Sequence, residues 1–320
     1  MKRAVLAVGF GILALFGRGA ELPADHATVL IVAGAPGEEE FSSVFENEVK
    51  VWTGLCALAG AKPLTIGVGA VGAASDYERM KQCIAAEPKD GPAEFWIVLV
   101  GHGTFDGKEA KFNLRGPDVS ATELAEWLKP FHRPLAVIDT SSASAPFLTK
   151  LAGPNRALVT STRSGYEQNY SRFGKYFAEA MADPASDLDK DGQVSLLEGF
   201  LGAARRTNEF YKTEGRLATE HALLDDNADG LGTPADWFKG VRATKQAREG
   251  ASLDGTRANQ FTLVRSPAEQ QLSPDGRARR DELERAVAKL RDAKPRMTEE
   301  KYFQELEKLL IELAGLYGGT

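Results

Sequence analysis

Phe95–Val100 (FWIVLV) runs without a polar break into Gly101-His102-Gly103, and Leu135–Ile138 (LAVI) runs the same way into Asp139-Thr140-Ser141-Ser142. Short continuous apolar runs that stop at small and polar residues read as strands covered on both faces. Thr28–Ala33 (TVLIVA), Leu64–Val68 and Ala157–Thr160 have the same form. Helical stretches lie between them. Phe41–Gly60 carries apolar residues at Val44, Phe45, Val49, Trp52, Leu55 and Leu58. Ser75 is placed to cap a helix over Asp76–Ala86, and Ser120 one over Ala121–Leu128, with Glu123 at the capping-box position. Strand–helix alternation at this spacing predicts an α/β fold with a doubly wound, mostly parallel sheet. In such sheets ligands and catalytic groups collect beyond the carboxyl ends of the strands. His102 and Ser141 are therefore the candidate catalytic pair, an imidazole beside a nucleophile.

The bulk numbers narrow the function. The chain has 320 residues, 43% hydrophobic and 26% charged, with a net charge of −6. That is room for two or three domains and a large core. The acidic balance excludes a sequence-independent nucleic-acid binder, which needs a basic surface. Lys2-Arg3, the apolar run Ala4–Phe16 and the small residues Gly17, Gly19 and Ala20 read as a secretory signal peptide over residues 1–19. The expected location is periplasmic or extracellular. No later stretch is apolar enough to cross a bilayer. Cys56 and Cys83 fall on the apolar stripes of two helices that a doubly wound sheet places on opposite faces. They read as free, buried thiols and not as nucleophiles.

The α/β domain is expected over residues 27–242. Residues 243–272 read as a linker: Ala243–Gly255 is rich in charged and small residues with no apolar stripe, and one short apolar patch stands at Phe261–Val264. A helical hairpin is expected over 273–317. Ser273-Pro274 opens its first helix, with a stripe at Leu283, Val287 and Leu290. Thr298 caps the second, whose stripe is Tyr302, Leu306, Leu309, Leu310, Leu313, Leu316 and Tyr317. Such a hairpin either packs on its own sheet domain or serves as an arm for a protein or peptide partner or a second copy.

Residues 187–198 read Asp-Leu-Asp-Lys-Asp-Gly-Gln-Val-Ser-Leu-Leu-Glu. This is the EF-hand calcium loop at every diagnostic place. Asp187, Asp189 and Asp191 supply the first, third and fifth ligands, and Gly192 the sharp turn. Gln193 offers its backbone carbonyl, Ser195 acts through water, and Glu198 gives two oxygens. Ca2+ is the expected cofactor. A weaker copy begins at Asp225, with Asn227, Asp229 and the turn residue Gly230. Its last ligand would be Asp236, and Pro234 disturbs the approach to it. A looser second site and a plain Asx-rich turn are both consistent with that stretch.

Over roughly residues 28–240 the chain resembles the caspase–legumain superfamily of cysteine peptidases. The resemblance rests on Val98-Leu99-Val100-Gly101-His102-Gly103, similar to the family's histidine strand, and on Ala136-Val137-Ile138-Asp139-Thr140-Ser141-Ser142-Ala143, similar to its nucleophile strand. Ala157–Thr162 falls where the family has its next strand, and Leu224-Asp225-Asp226-Asn227 is similar to a stretch of bacterial legumain-like proteins. The resemblance implies a caspase-like sheet and a peptidase dyad at His102 and residue 141. The departure is that Ser141 stands at the place of the cysteine, with Ala143-Ser144 in place of the family's Ser-Gly. A thiol ionises readily beside histidine, whereas a hydroxyl needs that histidine oriented by a third group. Asp106 and Asp139 are the nearby candidates for that group. Three readings follow: a catalytically inactive pseudo-peptidase, a serine hydrolase using Ser141 and His102, or a calcium-binding scaffold working through its hairpin. The inactive form is favoured. Arg163 either holds an acidic substrate group or pairs with Glu167. His26, His132 and His221 have no partner at ligand or catalytic spacing.

Overall fold

A computed structural model describes residues 26–318; the export-signal reading of residues 1–19 lies outside them. In chain order, β1 (Thr28–Ala33), α1 (Glu39–Ala59), β2 (Lys62–Ile66), α2 (Asp76–Ala86) and β3 (Phe95–Val100) open the fold. A small antiparallel sheet follows, made of β4 (Gly103–Phe105), β5 (Ala110–Phe112) and β6 (Val119–Ser120). Then come α3 (Ala121–Leu128), β7 (Leu135–Asp139), α4 (Ala145–Leu151), β8 (Arg156–Thr160), α5 (Phe173–Ala182) and α6 (Leu196–Thr213). The pair β9 (Leu223–Asp225) and β10 (Thr233–Pro234) closes the main sheet.

That sheet has the order β10-β9-β8-β7-β3-β1-β2. β2, β1, β3, β7 and β8 are parallel, and β9 and β10 run antiparallel at one edge. The fold is thus mixed α/β with a mostly parallel, doubly wound sheet. Alternation along each strand splits the core in two. Val29, Ile31, Trp96 and Val98 face a layer holding Trp52, Phe177 and Phe200, from α1, α5 and α6. Leu30, Val32, Ile97 and Leu99 face Met80, Leu124 and Phe147, from α2, α3 and α4. Both serine caps form: Ser75 accepts from Glu78 N, and Ser120 makes the full capping box with Glu123.

Local differences have local causes. β2 ends at Ile66 and not at Val68, because Gly67 turns the chain with φ 87°. A Cβ there would lie 1.7 Å from Ala33 O, so no other residue fits. Cys56 and Cys83 are free and lie on opposite sides of the sheet, and Cys83 is half-buried rather than buried.

The linker reading of 243–272 needs correction. After the short hairpin of β11 (Phe238–Lys239) and β12 (Arg242–Ala243), the chain forms α7 (Thr256–Gln260) and α8 (Pro267–Gln271). Ala258, Phe261 and Leu263 enter the first core, and Phe261 stands edge-on to Trp96 at 5.7 Å. The Phe261 carbonyl accepts from Leu196 N at the head of α6. Apart from the Phe261–Val264 patch few apolar residues are involved, and polar side chains tie down the rest of the segment, so its overall composition reads as solvated. α9 (Pro274–Ala293) packs on this segment, where Gln260 bonds Asp281 O and the Glu284 carboxylate. α10 (Glu299–Tyr317) pairs with α9. It half-buries Leu306, Leu309, Leu313 and Leu316 and leaves Phe303, Leu310 and Ile311 exposed.

Candidate functional site

β3 and β7 are neighbours with Leu99 opposite Asp139, so His102 and Ser141 leave adjoining strand ends as expected. Their side chains go elsewhere. His102 Nε2 lies 3.2 Å from Pro36 O. Its ring packs edge-on against Phe41 at 4.8 Å and Phe45 at 5.3 Å, with Tyr170 at 5.8 Å. Burial holds the imidazole below its ordinary pKa, against the smaller pull of Pro36 O and Glu38. Ser141 is 0% exposed, and its Oγ donates to Asp139 Oδ1 at 2.6 Å. Ser141 N bonds the same oxygen. Burial pushes Asp139 up to about 7 despite those bonds, and its Oδ2 is buried with no partner among the described residues. Neither Asp106 nor Asp139 orients His102: Asp106 closes a turn by accepting from Lys108 N and Glu109 N.

The serines and threonines past β7 and β8 form one buried network. Ser161 Oγ donates to Ser141 O, and Ser144 Oγ meets Ser161 Oγ and Thr162 Oγ1 at 3.1 Å each. Ser144 Oγ also accepts from Ser161 N and Thr162 N. These hydroxyls replace the backbone partners that two strand ends lack. A general base acts within about 2.6–3.2 Å of the proton it takes. In this arrangement the Ser141 hydroxyl donates its hydrogen bond to the Asp139 carboxylate and not to His102, and it has no contact with solvent.

A second polar cluster sits beside this network. His221 Nδ1 meets Glu167 Oε1 at 2.6 Å, which corrects the reading of His221 as lacking a partner. Glu167 also takes Arg163, whose Nε lies 3.3 Å from Oε1, and its backbone carbonyl accepts from Ala143 N. Ala143 has φ 55°, so Glu167 secures a strained turn two residues beyond Ser141. His132 pairs with Asp90, and His26 Nδ1 bonds Gly60 O.

The loop at 187–198 lies between α5 and α6. Carboxylate oxygens of Asp187, Asp189 and Asp191 lie within 4.8 Å of one another. Asp187 accepts from Lys190 N and Gly192 N, both residues at positive φ. Ser195 caps α6 and forms a capping box with Glu198. Glu198 is 1% exposed, and its Oε1 accepts from Leu188 N and Asp189 N, so its carboxylate closes the loop from the helix side. Hard oxygen donors converging at this spacing fit Ca2+. Besides the Leu196 N–Phe261 O bond, side chains join this loop to the C-terminal segment: Asn259 bonds Asp189 and Ser195, and Ser266 N bonds Gln193 Oε1. In the second loop Asp225 accepts from Ala228 N and Gly230 N. Asp236, expected as its last ligand, is instead exposed in the single 3-10 turn Ala235–Trp237, because Pro234 lies in β10 and no α-helix starts there.

No protein-family model matches the sequence, and no curated protein matches it. Among solved structures the chain is similar to the Drosophila initiator caspase Dronc, at 14% identity over 62% of this chain and 79% of that one, with a TM-score of 0.42. It is similar to caspase-1 from Spodoptera frugiperda at 9% identity over 63% and 87%, TM-score 0.42. A Geobacter sulfurreducens protein matches at 12% identity over 57% and 89%, TM-score 0.38.

Proposed function

We propose that this chain is an exported, calcium-binding protein of caspase–legumain type whose peptidase centre is silent and which acts by binding a protein or peptide. The observation that carries the silent centre is the Ser141 hydroxyl, fully buried and donated to Asp139 while His102 turns to Pro36. The placement of the two motifs on adjoining parallel strands supports the kinship. The competing reading, hydrolysis of a peptide or ester by Ser141 with His102, requires both side chains to abandon these partners.

A fluorophosphonate probe is expected to leave Ser141 unlabelled from pH 6 to 9. Labelling that disappears in His102→Ala would establish the hydrolase instead. The calcium reading has its own test, thermal melting with and without chelator. Free Ca2+ at a hundredfold excess over Kd adds about 2.7 kcal/mol to the folded state. For a chain of this size that is on the order of 5 °C in Tm. An unchanged Tm on chelation, in wild type, rejects the cation.

A further inference from the structure

The two acidic loops share more than spacing. In the first, residue 187 accepts from the amides of the fourth and sixth residues, Lys190 and Gly192. In the second, Asp225 accepts from the amides of the fourth and sixth residues, Ala228 and Gly230. All four amide donors have positive φ, including Ala228 at 69°, where no glycine eases the conformation. The third and fifth side chains repeat as well: Asp189 and Asp191 accept from Asp191 N and Gln193 N, Asn227 and Asp229 from Asp229 N and Leu231 N.

What the second loop lacks is a carboxylate that closes it from the twelfth place, because Asp236 stands there exposed in the turn Ala235–Trp237. In the first loop Glu198 fills that place. One of its oxygens accepts from the second and third amides, Leu188 and Asp189, and the other from the ninth side chain, Ser195. In the second loop the carboxylate with those three partners is Asp254. Its Oδ1 accepts from the second and third amides, Asp226 and Asn227, at 2.9 and 3.1 Å. Its Oδ2 accepts from the ninth side chain, Thr233 Oγ1, at 2.6 Å. Asp254 is 3% exposed. The neighbouring backbone holds it there: Asp226 Oδ1 accepts from Gly255 N and Asp226 Oδ2 from Ala258 N, while Asn227 Nδ2 donates to Ser252 O.

An independent observation points to a ligand. Asp229 Oδ2, on the fifth-place side chain, is buried and has no hydrogen-bond partner among the described residues. An anionic oxygen left dry and unpaired is costly unless a cation meets it. We infer that residues 225–233 form a second divalent-cation site, of the calcium class, whose closing carboxylate is Asp254 from the following segment. Asp225, Asn227 and Asp229 supply side-chain oxygens, and Leu231 stands at the seventh place, which gives a backbone carbonyl in loops of this kind. Oxygen donors alone, three of them carboxylates, suit Ca2+ better than a transition metal. The site does not depend on the first loop or on the fate of Ser141.

Calcium binding to the full chain by calorimetry decides it. Wild type is expected to take up two equivalents. Asp229→Asn, which keeps the shape and the bond to Leu231 N, leaves one, and so does Asp254→Asn. Asp189→Asn removes the other equivalent, and Asp236→Asn removes none. One wild-type equivalent that Asp189→Asn abolishes overturns the second site, as do two equivalents that survive Asp229→Asn. One equivalent lost in Asp229→Asn and kept in Asp189→Asn would uphold this site while the first loop's reading fails.

Discussion

Phe261→Ala is expected to destabilise the α/β domain by about 3–5 kcal/mol, the cost of emptying a large aromatic site in a packed core. Phe261 is 3% exposed, stands edge-on to Trp96 in the central strand β3, and gives its carbonyl to Leu196 N at the start of α6. It therefore joins the sheet, the helix that carries Glu198, and the segment that carries Asp254. If residues 243–272 were a solvated linker, the same change would move stability by less than about 0.5 kcal/mol. Urea unfolding of full-length wild type and variant, followed by circular dichroism, separates the two. A chain ended after Gly250 loses Phe261, Leu263 and Asp254 together. It is expected not to reach the native state, whereas a domain complete at residue 242 would fold without that segment.

The parts of the fold legible in the sequence are those set by local pattern. Four buried strands, β1, β3, β7 and β8, announced themselves as apolar runs, because a strand covered on both faces leaves no polar alternation to misread. The fifth run fell on the edge strand β2, where only Ile66 is buried. Ser75, Ser120, Ser273 and Thr298 all cap the helices that follow them, because capping is a local hydrogen bond. The turn of the acidic loop at 187–198 was legible for the same reason, since Asp187 makes it by bonding Lys190 N and Gly192 N. The candidate dyad was legible only to the level of the strand ends. Which way His102 turns depends on Phe41, Phe45 and Tyr170, which come from two distant parts of the chain. Glu167 and His221 are 54 residues apart, with no motif to connect them. Asp254 was hidden in a stretch whose charged composition reads as solvated, although its carboxylate is there to satisfy amides of another loop. One clue was overlooked: Glu48 lies on the stripe formed by Val44, Phe45, Val49 and Trp52, a position that faces the core.

Glu48→Gln is expected to stabilise the protein at pH 8.5 and to leave it nearly unchanged at pH 4. Glu48 is 6% exposed on the inner face of α1. A Cβ built on Gly174 would lie 2.8 Å from Glu48 Oε2 and 2.6 Å from Thr140 Oγ1, so this carboxyl is wedged beneath the residue that precedes Ser141. Burial is the first cause that pushes its pKa up to about 8, the charge of Glu179 the second, and Lys175 opposes them. An unfolded glutamic acid ionises near 4.3. Below that pH the group is neutral in both states and costs nothing. Between about 4.3 and 8 the unfolded chain releases the proton while the folded one keeps it, so stability falls as pH rises and levels off above 8. The loss is on the order of 3–5 kcal/mol if the whole displacement is realised. Asp139 and Glu94, each raised to about 7 chiefly by burial, add slopes of the same sign at lower pH. The signature of Glu48 is therefore the part between pH 7 and 8, which the glutamine variant lacks. Chemical denaturation at pH 4, 7 and 8.5 reads it directly. Parallel pH profiles for wild type and Glu48→Gln would mean that the carboxyl ionises freely in the native core.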